Sequence, residues 1–299
     1  MIKDGDPNLY KRPIGIIGLG LMGSPMARQL HKVGAKLHIW NRNNQTAIDL
    51  ANKLGETIVC KTPSEVAINS DVTIVMVTDA KAVDAVVFGK NGAAEGCDKN
   101  SLLIDMGTTS VIQTREFSER LRGSWVDAPV SGGTTAAENG TLTIMAGGPK
   151  EAFSRALPLL QVMGEHITHV GETGAGQVAK SANQMIVGLT IAAVAEAFAL
   201  ARHNGVEPAQ IREALFGGFA HSRVLELYSK RMIKKDFTPR AKCSIQRKDI
   251  AEALTLAKSI NLTLLSLTAN TELWDHMVNN DMADLDHSAL LLAIDPILN

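Results

Sequence analysis

Gly18-Leu19-Gly20-Leu21-Met22-Gly23 follows the apolar run Ile14-Gly15-Ile16-Ile17 with no spacer. Glycines at this spacing let a buried strand turn sharply and bring backbone close to a phosphate. They also let the chain open a helix packed tightly on the strand it has left. Residues 25–33 continue as a helix candidate beginning with Pro25, and Lys36-Leu37-His38-Ile39-Trp40 supplies a second apolar run. A helix N-terminus carries partial positive charge, so such a turn is a site for the pyrophosphate of a dinucleotide. A lone G-x-G-x-x-G is weak; the strand before it, the helix after it and the second strand beyond make it specific.

The same alternation continues. Strand-like runs fall at 72–77, 102–105, 125–127, 141–146 and 167–170, with helix candidates at 46–54, 80–88 and 112–121. Near-continuous apolar strands alternating with helices require a mostly parallel sheet covered on both faces, so a Rossmann-type doubly wound α/β fold is expected. After Gly176 the pattern changes. Residues 177–204 contain no proline and one glycine, Gly188; a helix of that length spans about 40 Å. Helical stretches follow at 208–216, 222–230, 245–259, 264–278 and 288–294. The expected organisation is a tail at 1–12, a dinucleotide-binding domain at 13–174, and an all-helical domain at 175–299 opened by a long interdomain helix. At 299 residues the chain suits two cores better than one.

Composition narrows the partners. With 30 basic and 31 acidic residues the net charge is −1, which excludes a broad nucleic-acid surface and leaves anions to a local cluster. The polar N-terminus has no apolar core of a secretory signal. Lys180, Glu196 and Arg202 interrupt or flank the long helix, which reads as a core helix packed between domains or subunits, not a membrane span. A homo-oligomer, dimer or tetramer, is compatible with it. Cys60, Cys97 and Cys243 have no C-x-x-C spacing and read as free thiols of a reducing cytoplasm. His166 and His169 lack a nearby acidic ligand, so no metal is expected there.

The end of the second strand bears on cofactor choice. NAD binders usually place a carboxylate there for the ribose 2′-hydroxyl; this chain has Asn41-Arg42-Asn43. Asn41 removes a charge that would repel a 2′-phosphate, and Arg42 offers a charge-assisted fork to it. NADP is favoured, with NAD still open. Met76-Val77-Thr78 and Gly107-Thr108-Thr109 end further strands at the carboxyl edge of the sheet, where cofactors lie.

Four ordered segments carry a family resemblance: Ile16 to Ala27 around the glycine turn, Asp127-Ala128-Pro129-Val130-Ser131-Gly132-Gly133, Gly171 to Gln184 (GETGAGQVAKSANQ), and Lys248-Asp249-Ile250-Ala251. Together they resemble the β-hydroxyacid dehydrogenase family, over residues 14 to about 295. Softer segments, Gly217 to Ser222, Asp236-Phe237 and Asp286 to Leu290, point to one branch within it. The resemblance implies hydride transfer between NADP(H) and a small three- or four-carbon hydroxy acid or semialdehyde. It makes Lys180 the catalytic lysine, donating a proton to the developing alkoxide and taking it back in reverse. An ammonium near a helix N-terminus is locally unfavourable, so a structural role alone explains Lys180 poorly. Asn183 and Gln184, three and four residues on, share its helix face and are implied substrate contacts.

Ser131, Gly132 and Gly133 are implied to bind the substrate carboxylate through a hydroxyl and backbone N–H groups. Phe237 and His287 are implied to line the substrate pocket, though Asp286 and His287 equally suit a helix cap. Asp249 is read as orienting and pairing on the substrate side, Lys248 as a late cofactor contact, and Thr108 as a nicotinamide-side contact. The chain departs from the family in having Gly107 where serine is usual and Thr78 where proline is frequent. Substrates within the family stay open among hydroxyisobutyrate, glyoxylate, succinic semialdehyde and related acids. A non-catalytic NADP-binding module is the reading from another class, and the presence of Lys180 argues against it.

Overall fold

The computed structural model describes residues 12–295, so the expected tail at 1–12 lies, apart from Arg12, outside the described residues. The sheet begins with β1 (Pro13–Ile17), four of whose five residues are buried, as a strand covered on both faces must be. It feeds α1 (Gly23–Lys32), β2 (Lys36–Trp40), α2 (Asn44–Leu54), β3 (Thr57–Val59), α3 (Pro63–Ile68), β4 (Val72–Val75), α4 (Ala80–Phe88) and α5 (Ala93–Gly96). Then come β5 (Leu102–Asp105), α6 (Val111–Arg120), β6 (Ser124–Asp127), β7 (Val130–Ser131), α7 (Gly133–Asn139), β8 (Leu142–Gly147), α8 (Lys150–Met163) and β9 (Gly164–Gly171).

Strands β3, β2, β1, β4, β5 and β6 pair in that order, all parallel. Beyond β6 the sense changes: β8 is antiparallel to β6 and β7, and β9 is parallel to β8. Alternate residues of each strand feed two cores. Ile14, Ile16, Ile74, Leu102 and Ile104 belong to one, and Ile17, Val75, Leu103 and Trp125 to the other. The order reverses between β1 and β4, and that crevice, at the carboxyl ends of the strands, is where doubly wound sheets bind ligands.

The chain divides into two compact units, the first ending at Lys180 and the second beginning at Ser181. The dividing residue lies within α9 (Ala175–His203), a helix of 29 residues. Among the described residues it is the one helix long and apolar enough to cross a membrane, and nearly half of that stretch is buried within the fold. The second unit continues with α10 (Pro208–Leu215), α11 (Arg223–Lys234), α12 (Cys243–Ser259), α13 (Leu265–Asn279), a 3-10 turn at His287–Ala289 and α14 (Leu290–Ile294). Its own core gathers Ile191, Ala195, Phe198, Met232, Ile250, Trp274 and Leu290.

Candidate active site

The glycine turn has two fixed points and one open one. A Cβ on Gly18 (φ +97°) would lie 2.3 Å from the Met76 carbonyl oxygen, and one on Gly23 would lie 2.0 Å from that of Gly18. A Cβ on Gly20 would meet nothing within 4 Å. The first and third glycines therefore lock the turn against β4 and itself, while the second leaves its backbone bare to an approaching group. Leu19 is buried and Leu21 exposed. Ser24 Oγ donates to the Leu19 carbonyl (2.7 Å), and α1 begins after Met22 with no side-chain cap. A bare turn ahead of an uncapped helix N-terminus fits a dinucleotide pyrophosphate.

Past β2, Asn41 Oδ1 accepts the Leu19 N–H (3.0 Å) and Asn41 Nδ2 donates to the Asn43 carbonyl (3.0 Å). The Asn41 amide thus ties the glycine turn to the end of β2. Arg42 is exposed beside it. Asn43 accepts from the Gln45 N–H and caps α2. Past β4, Met76 N–H bonds the Ile17 carbonyl (2.8 Å), Val77 follows half-buried, and Thr78 Oγ1 donates to Asp79 (3.0 Å), the cap of α4.

A second, wholly buried arrangement joins β5, β6 and the start of α9. Asp105 and Asp127 stand in register at the ends of neighbouring strands, both with no exposed surface. Asp105 accepts from the Gly107 N–H (3.0 Å) and the Thr109 hydroxyl (2.8 Å). Asp127 accepts from the Gly174 N–H (2.7 Å) and the Gln177 N–H (2.9 Å). Burial pushes the Asp127 carboxyl up to about 6, outweighing the N–H bonds that hold it down. The Gln177 side chain closes the arrangement, with Oε1 accepting from the Thr109 N–H (3.1 Å) and Nε2 donating to the Gly107 carbonyl (2.9 Å).

Two glycines make this packing possible. A Cβ on Gly176 would lie 2.4 Å from the Met145 carbonyl oxygen, and one on Gly107 would lie 2.6 Å from that of Val77. The absence of the family's serine at 107 is therefore a packing requirement of this chain. Thr108 sits half-buried in the same loop. Lys180, one turn after Gln177 on α9, is buried, with 7% of its surface exposed. Ser131 closes β7 opposite Thr143, and Gly132 (φ +129°) and Gly133 (φ +67°) turn the chain into α7 through conformations that favour glycine.

In the second unit, Asn183 Nδ2 donates to Gln184 Oε1 (2.8 Å), and Gln184 Nε2 donates to Asp249 Oδ2 (2.6 Å) and Gln246 Oε1 (3.2 Å). Lys248 Nζ is 3.3 Å from Asp249 Oδ1 and 3.9 Å from Glu252. Asp249 is thus a buried carboxylate held between an amide and an ammonium. His287 is buried with its ring between Tyr228 and Trp274 and Nε2 3.0 Å from the Lys242 carbonyl; burial pushes it down to about 4. Asp286 accepts from Arg231 and caps the 3-10 turn through the Ser288 N–H, which is the capping alternative left open by the sequence. Phe237 is half-buried, and its carbonyl accepts the Asp286 N–H (3.1 Å). A cavity of about 400 Å³ bounded by Leu189, Phe198, Leu215 and Leu225 has no charged side chain in its lining, so it does not suit a carboxylate substrate.

Sequence reading assigned no role to Asp105, Thr109, Asp127 or Gln177. The available signal was two aspartates ending apolar strands, each a residue type that stays buried only with partners.

A glycine turn at the switch point of a parallel sheet, with a buried lysine on the helix that follows the sheet, defines a nicotinamide-dinucleotide-dependent oxidoreductase. Comparison with known proteins agrees. The model for the NAD binding domain of 6-phosphogluconate dehydrogenase matches residues 13–171. That for the NAD-binding segment of NADP-dependent 3-hydroxyisobutyrate dehydrogenase matches residues 174–294. The chain is 41% identical to 2-hydroxy-3-oxopropionate reductase of Escherichia coli (strain K12), over 96% of this chain and 98% of that one. It is 31% identical to glyoxylate/succinic semialdehyde reductase 2 of Arabidopsis thaliana, over 94% of this chain and 79% of that one. The structure of Mycobacterium tuberculosis 3-hydroxyisobutyrate dehydrogenase with L-serine superposes with a TM-score of 0.86 at 27% identity, covering 95% of this chain and 99% of that one. The chain belongs to the β-hydroxyacid dehydrogenase family, the group related to 3-hydroxyisobutyrate dehydrogenase, and is an NAD(P)-dependent oxidoreductase.

Proposed function

We propose that this protein reduces 2-hydroxy-3-oxopropionate (tartronate semialdehyde) with NADPH, using Lys180 as the proton donor. The observation that carries the reading is Lys180 itself, buried in the second turn of α9, one turn after the Gln177 whose N–H is held by Asp127. The substrate assignment is supported by the Escherichia coli relative. When bound, the nicotinamide supplies the hydride or takes it up. The residues from Gly18 to Gly23 hold the pyrophosphate, and Arg42 holds the 2′-phosphate beside an Asn41 that carries no repelling charge. Met76, Val77 and Thr78 serve the adenosine side, with Asn43 alongside Arg42, and Thr108 the nicotinamide side.

Ser131, Gly132 and Gly133 receive the substrate carboxylate through a hydroxyl and N–H groups. Lys180 Nζ delivers its proton to the carbonyl oxygen as that oxygen becomes an alcohol, and reclaims it in the reverse direction. In the second unit the family assignments are carried over: Lys248 to the cofactor, and Asn183, Gln184, Phe237, Asp249 and His287 to the substrate side. Asp249, gripped by Gln184 and Lys248, orients those side chains.

Self-association accompanies the reading, supported by Ile186 and Leu200, which α9 leaves more than half exposed; sedimentation measures it. A reducing cytoplasm suits three buried free thiols, Cys60, Cys97 and Cys243.

The test is the initial rate of NADPH and NADH oxidation with tartronate semialdehyde, succinic semialdehyde, glyoxylate and methylmalonate semialdehyde. NADPH with tartronate semialdehyde should be the fastest pair. A faster aldehyde would keep the chemistry and replace the substrate. Lys180→Ala should abolish turnover while NADPH binding, followed by fluorescence, persists; retained turnover would remove Lys180 from the mechanism.

A further inference from the structure

We propose that Gln177 is a positioning residue of the reaction: its side-chain amide ties the 107–109 loop to the first turn of α9 and thereby sets where Lys180 stands relative to that loop. The inference rests on Lys180 being the proton donor, as above. Gln177 uses both ends of its amide on one loop, accepting the Thr109 N–H (3.1 Å) and donating to the Gly107 carbonyl (2.9 Å), as a paired strand would. Its own N–H is held by Asp127 (2.9 Å), so backbone and side chain are fixed at once. Only 1% of its surface is exposed, and water is no substitute partner. An α-helix is stiff over one turn, so a displacement at Gln177 is passed to Lys180 three residues on. Proton transfer tolerates little displacement; a misplacement of about 1 Å costs up to about a hundredfold in rate.

A packing role alone would be served by any side chain of similar shape. The bonding pattern makes a sharper demand: one acceptor for Thr109 and one donor for Gly107. Glutamate in place of Gln177 retains the acceptor, and supplies the donor only when protonated. Burial at that position favours the protonated form, because a carboxylate there would be desolvated. Of the nearby charged groups, the buried carboxylates of Asp105 and Asp127 act in the same direction, and Lys180 and Arg115, whose Nε would lie 3.1 Å from a Cβ on Gly174, act against it.

The experiment measures kcat and the KM for NADPH from pH 5.5 to pH 8.5, the range set by ordinary enzyme buffers, for the wild type, Gln177→Glu, Gln177→Asn and Lys180→Ala. Gln177→Asn, too short to reach both loop groups, should lose about a hundredfold in kcat at every pH, with a far smaller change in the KM for NADPH, because the glycine turn and Arg42 are untouched. Gln177→Glu should be as slow at alkaline pH and recover relative to the wild type as the pH falls. Wild-type kcat in both variants overturns the proposal. So does a loss in Gln177→Glu that does not recover on acidification, which would make Gln177 a packing residue. Failure of both variants to fold, judged by thermal melting, would likewise assign the pair to stability alone. An active Lys180→Ala would instead overturn the proton-donor reading, a different result from inert Gln177 variants beside a dead Lys180→Ala.

Discussion

On the proposed reading, Asn41 and Arg42 divide the task of choosing a cofactor between geometry and charge. The Asn41 amide is engaged at both ends, by the Leu19 N–H and the Asn43 carbonyl, so it is a neutral fixed post at the end of β2. Arg42, exposed next to it, holds the charge. A charge-assisted hydrogen bond contributes about 1.5–3 kcal/mol, roughly ten- to a hundredfold in affinity. Arg42→Ala should therefore raise the KM for NADPH by about that factor and leave the KM for NADH nearly unchanged. Asn41→Asp should shift preference toward NADH by placing a carboxylate where the 2′-phosphate goes. Steady-state kinetics with both cofactors checks the pair, and an unchanged NADPH-to-NADH ratio in Arg42→Ala would remove Arg42 from the phosphate site. At the same scale, Gly107 shows how a departure from family pattern becomes intelligible: the Val77 carbonyl occupies the space a side chain would need.

Among the elements, the corner that joins α11, α12 and the 3-10 turn should lose stability in acid. His287 is buried between Tyr228 and Trp274, and its pKa falls to about 4 because burial penalises the charged ring. The unfolded chain protonates this histidine near 6.5 and the folded one only near 4. Its contribution to stability is thus fully present above the unfolded value and is lost as pH falls through that window, by about 3 kcal/mol in all. Urea unfolding at pH 7 and pH 4.5 should show a smaller acid loss for His287→Gln than for the wild type; equal losses would mean that His287 is not buried neutral. The elements themselves were largely legible in the sequence. Strands β1, β2 and β5 stand where their apolar runs lie, and the long helix α9 was legible from a stretch, 177–204, with no proline and Gly188 as its one glycine. Helix α8 was not, because Pro158 sits inside it. Strand β3 was hidden by its length of three residues, without a fully buried one. The Asp105–Thr109–Gln177–Asp127 arrangement escaped for a different reason: the bonds that tie the start of α9 to Asp127 and to the 107–109 loop join residues 47 to 70 positions apart, and no local period records such a pairing. Motifs singled out Lys180, the glycine turn and Asn41, which lie in short contiguous segments, but gave no role to Asp105, Thr109, Asp127 or Gln177.

For the whole molecule, two units with separate cores and one cofactor allow each unit to be probed by itself. The first unit is built on the sheet cores around Ile16 and Leu103, and the second on the helical core around Trp274. A ligand that binds only the folded state stabilises what it touches by RT ln(1 + [L]/Kd), about 2.7 kcal/mol at a hundredfold excess over Kd. NADPH at that concentration should slow amide hydrogen exchange in the glycine turn, at the ends of β2 and β4 and in the 107–109 loop. The family assignment of Lys248 predicts a second effect in the other unit: slowed exchange through the first two turns of α12, with α11 and α13 unchanged. Lys248→Ala should then erase the protection in α12 and spare that in the glycine turn, whose side-chain hydrogen bonds run to Asn41 and Ser24. Protection confined to the first unit in the wild type would instead leave Lys248 as the ion-pair partner of Asp249 and Glu252, holding a carboxylate and not a cofactor.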